Sequence, residues 1–213
     1  MNGLYHEQLY RTPEVMARLG EFPVAVCGAG ALGANLTESL ARMGFRQLRV
    51  VDRDRVEERN ISTQPYYRAD AGAAKARVLA NALYRALGVE VDARCEELTA
   101  TNAAKLLAGS ALVVDVFDNS ASRRVLKTHA ESAGVACLHA GLAGDYAEVV
   151  WNEIYRVPSA AHDDVCDYPL ARNLVTLAVA VACETIVDFA ASGARRSHTI
   201  TLRDFAVRPY EVN

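Results

Sequence analysis

The chain has 213 residues, a hydrophobic fraction of 51%, a charged fraction of 23% and a formal net charge of −3. This length suits one α/β domain with a substantial core, and the composition is neither that of a disordered chain nor that of a membrane protein. The slight acidity and the lack of a Lys/Arg stripe give no reason to expect a nucleic-acid partner.

Five cysteines are scattered along the chain and form no CxxC pair. An odd, dispersed set argues against a disulfide framework and for a reducing compartment. The N-terminus is polar and lacks the apolar core of a secretory signal, and the uncharged run 173–183 is too short to span a membrane. We therefore expect a cytoplasmic protein with no membrane segment and no four-cysteine zinc site.

The predicted elements begin with a short helix, for which Thr12 is the N-cap and Pro13 the first residue. An apolar strand over residues 23–27 then meets a glycine-rich turn and a helix over residues 31–43. A second strand over residues 48–51 completes a βαβ unit.

A polar segment over residues 53–71 follows this unit without periodicity, which is typical of a functional loop in a compact domain. The next elements are predicted as a helix over 72–87, a strand over 89–93, a short helix over 103–107, a buried strand over 111–116, a helix over 121–133 and a strand over 135–138. Strands that alternate with helices predict the α/β class, with a Rossmann-like, doubly wound and mostly parallel sheet.

The pattern changes after Gly144. The elements predicted there are an antiparallel strand over 147–157, a long apolar helix over 170–191 and short antiparallel strands over 199–202 and 206–207. A helix that is apolar on most sides must be buried. The sequence leaves two alternatives, burial within its own chain and burial in a homodimer interface. We expect one domain, in which an N-terminal helical segment (1–20) and a C-terminal part (146–213) flank the Rossmann core (21–145).

The segment from Gly28 to Gly33 has the motif GxGxxG, with Gly30 as its middle glycine, between a predicted strand and a predicted helix. Glycines allow the tight turn, and the helix N-terminus with its free amides attracts phosphate. Asp52 follows the second strand about twenty residues later, where a carboxylate binds ribose hydroxyls. NAD and ATP both fit these residues.

Further polar residues distinguish ATP from NAD as the expected ligand. Their order along the chain resembles that of the ThiF/MoeB/HesA family, the adenylation domain of the ubiquitin-activating enzyme superfamily. That family has D-x-D after the second strand, then an asparagine, a lysine that opens the next helix, and D-N after the fourth strand. The matching residues in this chain are Asp52, Asp54, Asn60, Lys75, Asp118 and Asn119, in the same order and at similar spacing. The ordered set on a Rossmann frame is more specific than any single match.

The resemblance implies that Asp52 binds the ribose of ATP, that Asn60 and Lys75 bind its phosphates, and that Asp118 binds Mg²⁺. The other residues implied in the nucleotide pocket are Gly28, Gly30, Leu32, Gly33, Asp54 and Asn119. The implied reaction is ATP-dependent adenylation of the C-terminal Gly-Gly carboxylate of a ubiquitin-like sulfur carrier or modifier protein, with pyrophosphate as the second product. A homodimer is implied as well.

Two arginines of the family pattern are replaced in this chain. Threonine occupies position 63, where the family has an arginine three residues after the asparagine, and Glu7 occupies the place of an N-terminal arginine. Arg11, Arg59 and Arg68 are candidates for the missing charge, and spacing alone does not choose among them.

Two other functions account for part of these observations. A non-catalytic nucleotide-binding scaffold of the same fold would explain the two absent arginines. An NAD-dependent oxidoreductase would explain the glycines and Asp52 but not Asp54, Asn60, Lys75 or Asp118.

Cys166 lies in a predicted loop before the long helix, and relatives have a cysteine in a comparable crossover loop. The resemblance gives it a possible covalent role, so hydrolysis, sulfur transfer and thioester formation are all open as fates of the adenylate. Three neighbouring aspartates disfavour its thiolate. We interpret Cys27, Cys137 and Cys183 as packing residues and His139 as a structural residue.

Overall fold

The computed structural model describes residues 3–159 and 169–211. Its strands are β1 (Val24–Cys27), β2 (Leu48–Val51), β3 (Asp92–Arg94), β4 (Leu112–Asp115), β5 (Ala136–Ala143), β6 (Tyr146–Trp151), β7 (His198–Thr201) and β8 (Ala206–Pro209). Its helices are α1 (Tyr5–Tyr10), α2 (Pro13–Glu21), α3 (Ala31–Met43), α4 (Lys75–Leu87), α5 (Ala103–Leu106), α6 (Ser120–Ala133) and α7 (Arg172–Ser192). Two short 3₁₀ turns, Glu58–Asn60 and Arg68–Asp70, lie between β2 and α4.

The strands form one sheet in the order β3-β2-β1-β4-β5-β6-β7-β8. The five strands β1 to β5 pair in parallel, and β5 to β8 pair antiparallel. This arrangement confirms the predicted fold class. The chain builds outward from β1 to β3 and then returns to place β4 on the other side of β1. Ligands of doubly wound sheets bind at such a reversal, outside the carboxyl ends of the strands.

Helices cover both faces of the sheet. The larger apolar cluster packs α3, α4 and α7 against one face, with Leu36 and Ile186 almost fully buried. The smaller cluster packs α5 and α6 against the other face, with Leu106 and Leu126 buried. Burial of these two apolar layers is the main contribution to the stability of the sheet.

Several boundaries are as the sequence predicts. The side chain of Thr12 accepts a hydrogen bond from the Val15 amide and so caps α2. Helix α3 ends before Gly44, whose φ of 111° is a left-handed conformation that glycine adopts at little cost. Helix α1 was not predicted, because it has only six residues and none of them is buried, so it shows no apolar periodicity.

Other boundaries differ for reasons that lie in tertiary contacts. Helix α4 begins at Lys75 instead of residue 72, since Gly72 donates its amide to Val56 O in the preceding loop. Strand β5 continues to Ala143, beyond the predicted residue 138, because it pairs with β6 along its whole second half. The predicted strand 147–157 ends at Trp151.

Helix α7 is long and apolar enough, by length and composition alone, to cross a membrane, and half of that window is buried inside the protein. Its buried residues belong to the larger apolar cluster, where Ala178 and Ala182 are almost inaccessible. These residues of α7 are therefore buried within their own chain, which is one of the two alternatives that the sequence leaves.

Alanine at Gly33 is expected to destabilise the fold, because its Cβ would lie 1.9 Å from the Gly28 carbonyl oxygen, a backbone atom. Overpacking costs about 1–3 kcal/mol, which corresponds to a Tm roughly 2–12 °C lower for a chain of this size. Gly30→Ala is the matched control, since nothing lies within 4 Å of its built Cβ. Equal Tm values for the two variants in a thermal melt would contradict this packing role.

Candidate nucleotide-binding site

The glycine turn after β1 lies against the turn that follows β4. Gly28 has φ of 113°, and a Cβ added to it would lie 2.9 Å from Val116 O, so only glycine fits. A Cβ on Gly33 would also lie 2.8 Å from Val116 Cγ2, whereas Gly30 faces open space. The turn is thus closed against the protein at its two ends and open in the middle, where amides at a helix N-terminus attract an anion.

Asp52 holds the other side of this turn. The residue is 7% exposed, its Oδ2 accepts the Ala29 amide at 2.5 Å, and its Oδ1 accepts the Asp54 amide at 2.6 Å. Burial raises the pKa of the Asp52 carboxyl above its ordinary value, while these two amide hydrogen bonds act in the opposite direction. Each carboxylate oxygen retains a second lone pair, which is what a ribose hydroxyl requires.

Lys75 is the first residue of α4, as the resemblance implies, and it is 7% exposed. Its Nζ lies 3.5 Å from Asp54 Oδ2, and its amide donates to Asp54 O at 2.9 Å. A lysine is rarely this buried without a charged partner. Asp54 therefore fixes both the start of the helix and the place of the ammonium group.

Asp118 and Asn119 follow β4. The sheet register aligns Cys27 with both Val51 and Asp115, so the segments after β1, β2 and β4 leave the sheet at one edge, next to each other. Asp118 is exposed, and Asn119 Oδ1 accepts the Ser122 amide at 2.8 Å. Asn119 is therefore the N-cap of α6, and its Nδ2 donates to Asp118 Oδ1 at 3.4 Å. The exposed carboxylate of Asp118 keeps further lone pairs for a ligand.

The loop between β2 and α4 packs against the first turn of α3. Asn60 Oδ1 accepts the Glu57 amide, and Asn35 Nδ2 on α3 donates to Thr63 O at 2.8 Å. Tyr66 Oη donates to Ala29 O at 2.8 Å. Gln64 is 8% exposed, and its Oε1 accepts no hydrogen bond from the described residues. A buried amide oxygen without a donor fits a site that is completed by a polar ligand.

Each of the three candidate replacement cations has a carboxylate partner, which for Arg68 is Glu58 at 3.8 Å. Arg11 pairs with Glu7 at 2.9 Å and with Glu184 at 2.7 Å, so Glu7 and Arg11 belong to an ion-pair group at α7. Arg59 pairs with Glu57, and Arg68 is 86% exposed. A different arginine, at the start of α7, lies at this loop.

That arginine is Arg172, and sequence spacing did not identify it. Its Nη1 donates to Ser62 O at 3.2 Å, beside Thr63. Among residues 3–159 and 169–211, no carboxylate lies within ion-pair distance of it. Only the tertiary structure brings the start of α7 to this loop, so no local sequence signal could have indicated it.

Sequence reasoning treated His139 as an isolated structural residue, but it belongs to a buried polar group. Asp115, His139 and Asn152 are linked by hydrogen bonds of 2.7 Å, and Arg123 contacts Asp115. The one local signal was a carboxylate at the end of an otherwise apolar strand. Cys27, Cys137 and Cys183 are buried, as predicted. Cys166 lies outside the described residues.

No group of three or more His, Cys, Asp or Glu side chains that could hold a metal ion occurs within the described part of the chain. Magnesium at nucleotide sites is commonly bound by one or two carboxylates together with the phosphates. A single exposed carboxylate beside the glycine turn fits that mode of binding. A cavity of about 300 Å³, bordered by Val24 and Leu48, lies at the amino ends of β1 and β2, at the opposite end of these strands from the glycine turn.

The model of the ThiF family matches residues 5–191. The chain belongs to the ThiF family. Similar curated proteins include the sulfur carrier protein ThiS adenylyltransferase of Bacillus subtilis, 30% identical over 63% of this chain and 41% of that protein. The SAMP-activating enzyme E1 of Haloferax volcanii is 35% identical over 61% of this chain and 49% of its own length. The sulfur carrier protein adenylyltransferase of Thermus thermophilus is 37% identical over 61% and 50%.

Solved structures show the same ThiF-type fold. E. coli MccB with AMPCPP and MccA has a TM-score of 0.81 at 16% identity, covering 97% of this chain and 69% of that one. PaaA has a TM-score of 0.75 at 18% identity, covering 97% and 69%. This ThiF-family chain spans half or less of the length of the three curated relatives described above.

Asp52→Asn is expected to weaken ATP binding about 10- to 100-fold, because the amide keeps one acceptor oxygen but loses the charge-assisted hydrogen bond. The measurement is calorimetric titration with ATP. Asp145→Asn, an exposed position in the β5–β6 turn, is the control and should bind as the wild type does. Equal affinity of all three proteins would rule out Asp52 as a ribose ligand.

Proposed function

We propose that this chain is an ATP-dependent adenylyltransferase that activates the C-terminal glycine carboxylate of a ubiquitin-like sulfur carrier or modifier protein. The observation that carries this proposal is the edge at which β1, β2 and β4 end. There an open glycine turn lies between Asp52 and the turn that bears Asp118, with a buried lysine on the neighbouring helix. Support for the carboxylate donor comes from the relatives, two of which are named for sulfur carrier proteins.

The proposed chemistry needs little from the protein beyond placement and charge. A carboxylate oxygen of the donor attacks the α-phosphorus of ATP, the bond to the bridging oxygen breaks, and pyrophosphate leaves. The protein supplies no nucleophile for this step. Its residues align the two reactants and neutralise the charge that develops on the leaving group.

Each predicted residue has a role in this scheme. Asp52 holds the ribose, the amides from Gly28 to Gly33 with Asn60 and Lys75 hold the phosphates, and Asp118 holds Mg²⁺. When bound, the metal ion neutralises phosphate charge. The 3.5 Å contact between Lys75 and Asp54 keeps the ammonium group at the start of α4, within the same edge of the sheet.

Arg172 is our proposed replacement for the arginine that the family pattern has at position 63. Its guanidinium donates to the carbonyl of Ser62, and the Thr63 carbonyl is in turn bound by Asn35 in α3. In this proposal the cation comes to the loop beside α3 from a different element, the start of α7. This substitution favours an active enzyme over a non-catalytic scaffold, since the positive charge is retained.

We also propose a homodimer, on the resemblance, and a cytoplasmic location, on the dispersed cysteines. The apolar residues of α7 pack inside their own chain, so burial of that helix does not require a second subunit. Cys166, for which the resemblance implies a covalent role in the fate of the adenylate, lies outside the described residues.

ATP–pyrophosphate exchange tests the proposed reaction. With Mg²⁺ and a ubiquitin-fold protein ending in Gly-Gly, we expect exchange that falls about 100- to 1000-fold in Lys75→Ala and in Asp118→Ala. Lys105→Ala and Glu90→Ala, both at exposed positions outside the segments that follow β1, β2 and β4, should keep wild-type rates. A donor that lacks the last glycine should give none.

Two results would contradict this function. Measurable ATP binding without exchange for a range of donors, including peptides, would favour the scaffold. A rise in Tm with NAD but not with ATP and Mg²⁺ would favour an oxidoreductase, because a ligand stabilises only the protein that binds it.

Arg172→Gln is expected to raise the KM for ATP about 10-fold, the typical loss for one charge-assisted hydrogen bond to phosphate. Arg203→Gln, an exposed arginine near the β7–β8 hairpin, is the matched control. The measurement is the exchange rate as a function of ATP concentration. An unchanged KM in Arg172→Gln would refute its role as the replacement cation.

A further inference from the structure

A group of polar side chains is buried at the carboxyl end of β4, and the proposed adenylation scheme does not use it. Asp115 is fully buried, His139 is 1% exposed, and the sheet register pairs the two residues on neighbouring strands. Asp115 Oδ2 lies 2.7 Å from His139 Nδ1, and His139 Nε2 lies 2.7 Å from Asn152 Oδ1. A buried carboxylate is costly unless it is paired, so its retention here calls for a reason.

Arg123 on α6 adds a second link to the same carboxylate. Its Nη1 lies 3.5 Å from Asp115 Oδ2 and donates to Tyr155 Oη at 2.9 Å, and its Nη2 donates to Ala140 O at 3.3 Å. The Tyr155 ring stacks on His139, with 3.7 Å between ring centroids. Desolvation by itself lowers the pKa of Arg123, but Asp115 and Tyr155 outweigh it, so the net shift is upward. Arg123 is therefore a permanent cation beside Asp115.

The second oxygen of Asp115 controls the turn that follows. Asp115 Oδ1 accepts the Phe117 amide at 3.1 Å. The residue between them, Val116, is the one against which the glycine turn packs, and Asp118 comes directly after Phe117. One carboxylate thus ties this turn, through its two oxygens, to β5 and α6.

We propose that Asp115, His139 and Arg123 are positioning residues that hold the turn 116–119 where Asp118 binds Mg²⁺ beside the nucleotide phosphates. This inference rests on the proposed function, because it concerns the metal that Asp118 is proposed to bind. The three residues act through the backbone of the turn. A metal ligand must be held within about 0.5 Å of its productive position, and a fully hydrogen-bonded buried network specifies one such geometry.

The test compares variants that cut the network at different links. Asp115→Asn can keep its one oxygen as an acceptor for the Phe117 amide, and its amide nitrogen then faces His139 and Arg123 in place of a carboxylate oxygen. Tyr155→Phe removes one partner of Arg123 and keeps the ring that stacks on His139. Arg123→Gln removes the cation, and Arg123→Lys restores the charge without the planar fork.

The readout is ATP affinity by calorimetry over a series of free Mg²⁺ concentrations, with the Tm of each variant recorded. We expect the half-saturating Mg²⁺ concentration to rise about tenfold in Asp115→Asn and in Arg123→Gln, the scale of one lost hydrogen bond to a charged group. Tyr155→Phe should raise it roughly threefold, and Arg123→Lys should lie between glutamine and the wild type. ATP affinity without Mg²⁺ should stay within about twofold of the wild type, since the ribose and phosphate ligands remain.

Leu126→Val is the control for general loss of stability, because Leu126 is buried on the same side of the sheet and belongs to the apolar cluster. It should lower the Tm and leave the Mg²⁺ dependence unchanged. If the network variants behave in the same way, the group only supports packing and the proposal is overturned. Tyr155→Phe, which keeps every charge, gives this answer even if Asp115→Asn does not fold.

Failure of the proposed function has a different signature. If the ATP affinity of the wild type does not respond to Mg²⁺, Asp118 has no metal role. That result would also overturn this inference before any network variant is measured. A normal Mg²⁺ response in the wild type with no donor-dependent exchange would overturn the reaction but leave the positioning role supported by the binding data.

Discussion

The close approach of the glycine turn to the β4–α6 turn is the constraint on which the rest of the site depends. A Cβ on Gly28 would lie 2.9 Å from Val116 O, and a Cβ on Gly33 would meet both the Gly28 carbonyl and the Val116 side chain. The two turns are therefore in van der Waals contact, and whatever fixes one also fixes the other. This contact brings the amides of the glycine turn, which we propose bind phosphate, to the turn that bears the Asp118 carboxylate.

Polar contacts hold this pair of turns from both sides. On one side, Asp52 accepts the amides of Ala29 and Asp54, and Asp54 contacts Lys75. On the other, Asp115 holds the turn before Asp118. The two aspartates share one feature: each follows or ends a parallel strand and accepts the backbone amide two residues later in the chain. The proposed nucleotide site, built on rigid strands in this manner, would need little reorganisation to bind a charged ligand.

The arginine that the family pattern has at position 63 has a neighbour in space, and not in sequence, as its proposed replacement. Thr63 replaces an arginine in the loop, and Arg172, more than one hundred residues later, donates to the carbonyl beside it. At the N-terminus, Glu7 pairs with Arg11, which also contacts Glu184 on α7, so this end of the chain has become a structural ion-pair group. Position in the sequence is a poor guide to a cation whose function depends only on where its charge lies.

The sequence by itself determined the elements whose signals are local. The Thr12 cap, the glycine turn and the bounds of α3 and β2 follow from capping, glycine conformation and apolar periodicity, which act over a few residues. Periodicity alone started α4 at residue 72, and only the family resemblance indicated Lys75 as its first residue. The parallel sheet and its carboxyl-edge site follow from the alternation of strands and helices.

Tertiary structure alone decided the features that depend on distant partners. The extension of β5 depends on pairing with β6, the place of Arg172 depends on how α7 packs, and the link from Asp115 to His139 depends on strand register. Helix α7 is the clearest case: its apolar sequence suited a dimer interface or its own core, and its packing on the sheet shows that its own chain buries half of its apolar window. Local propensity carries no information about such contacts, because the residues that make them are distant in the chain and meet only when the sheet closes.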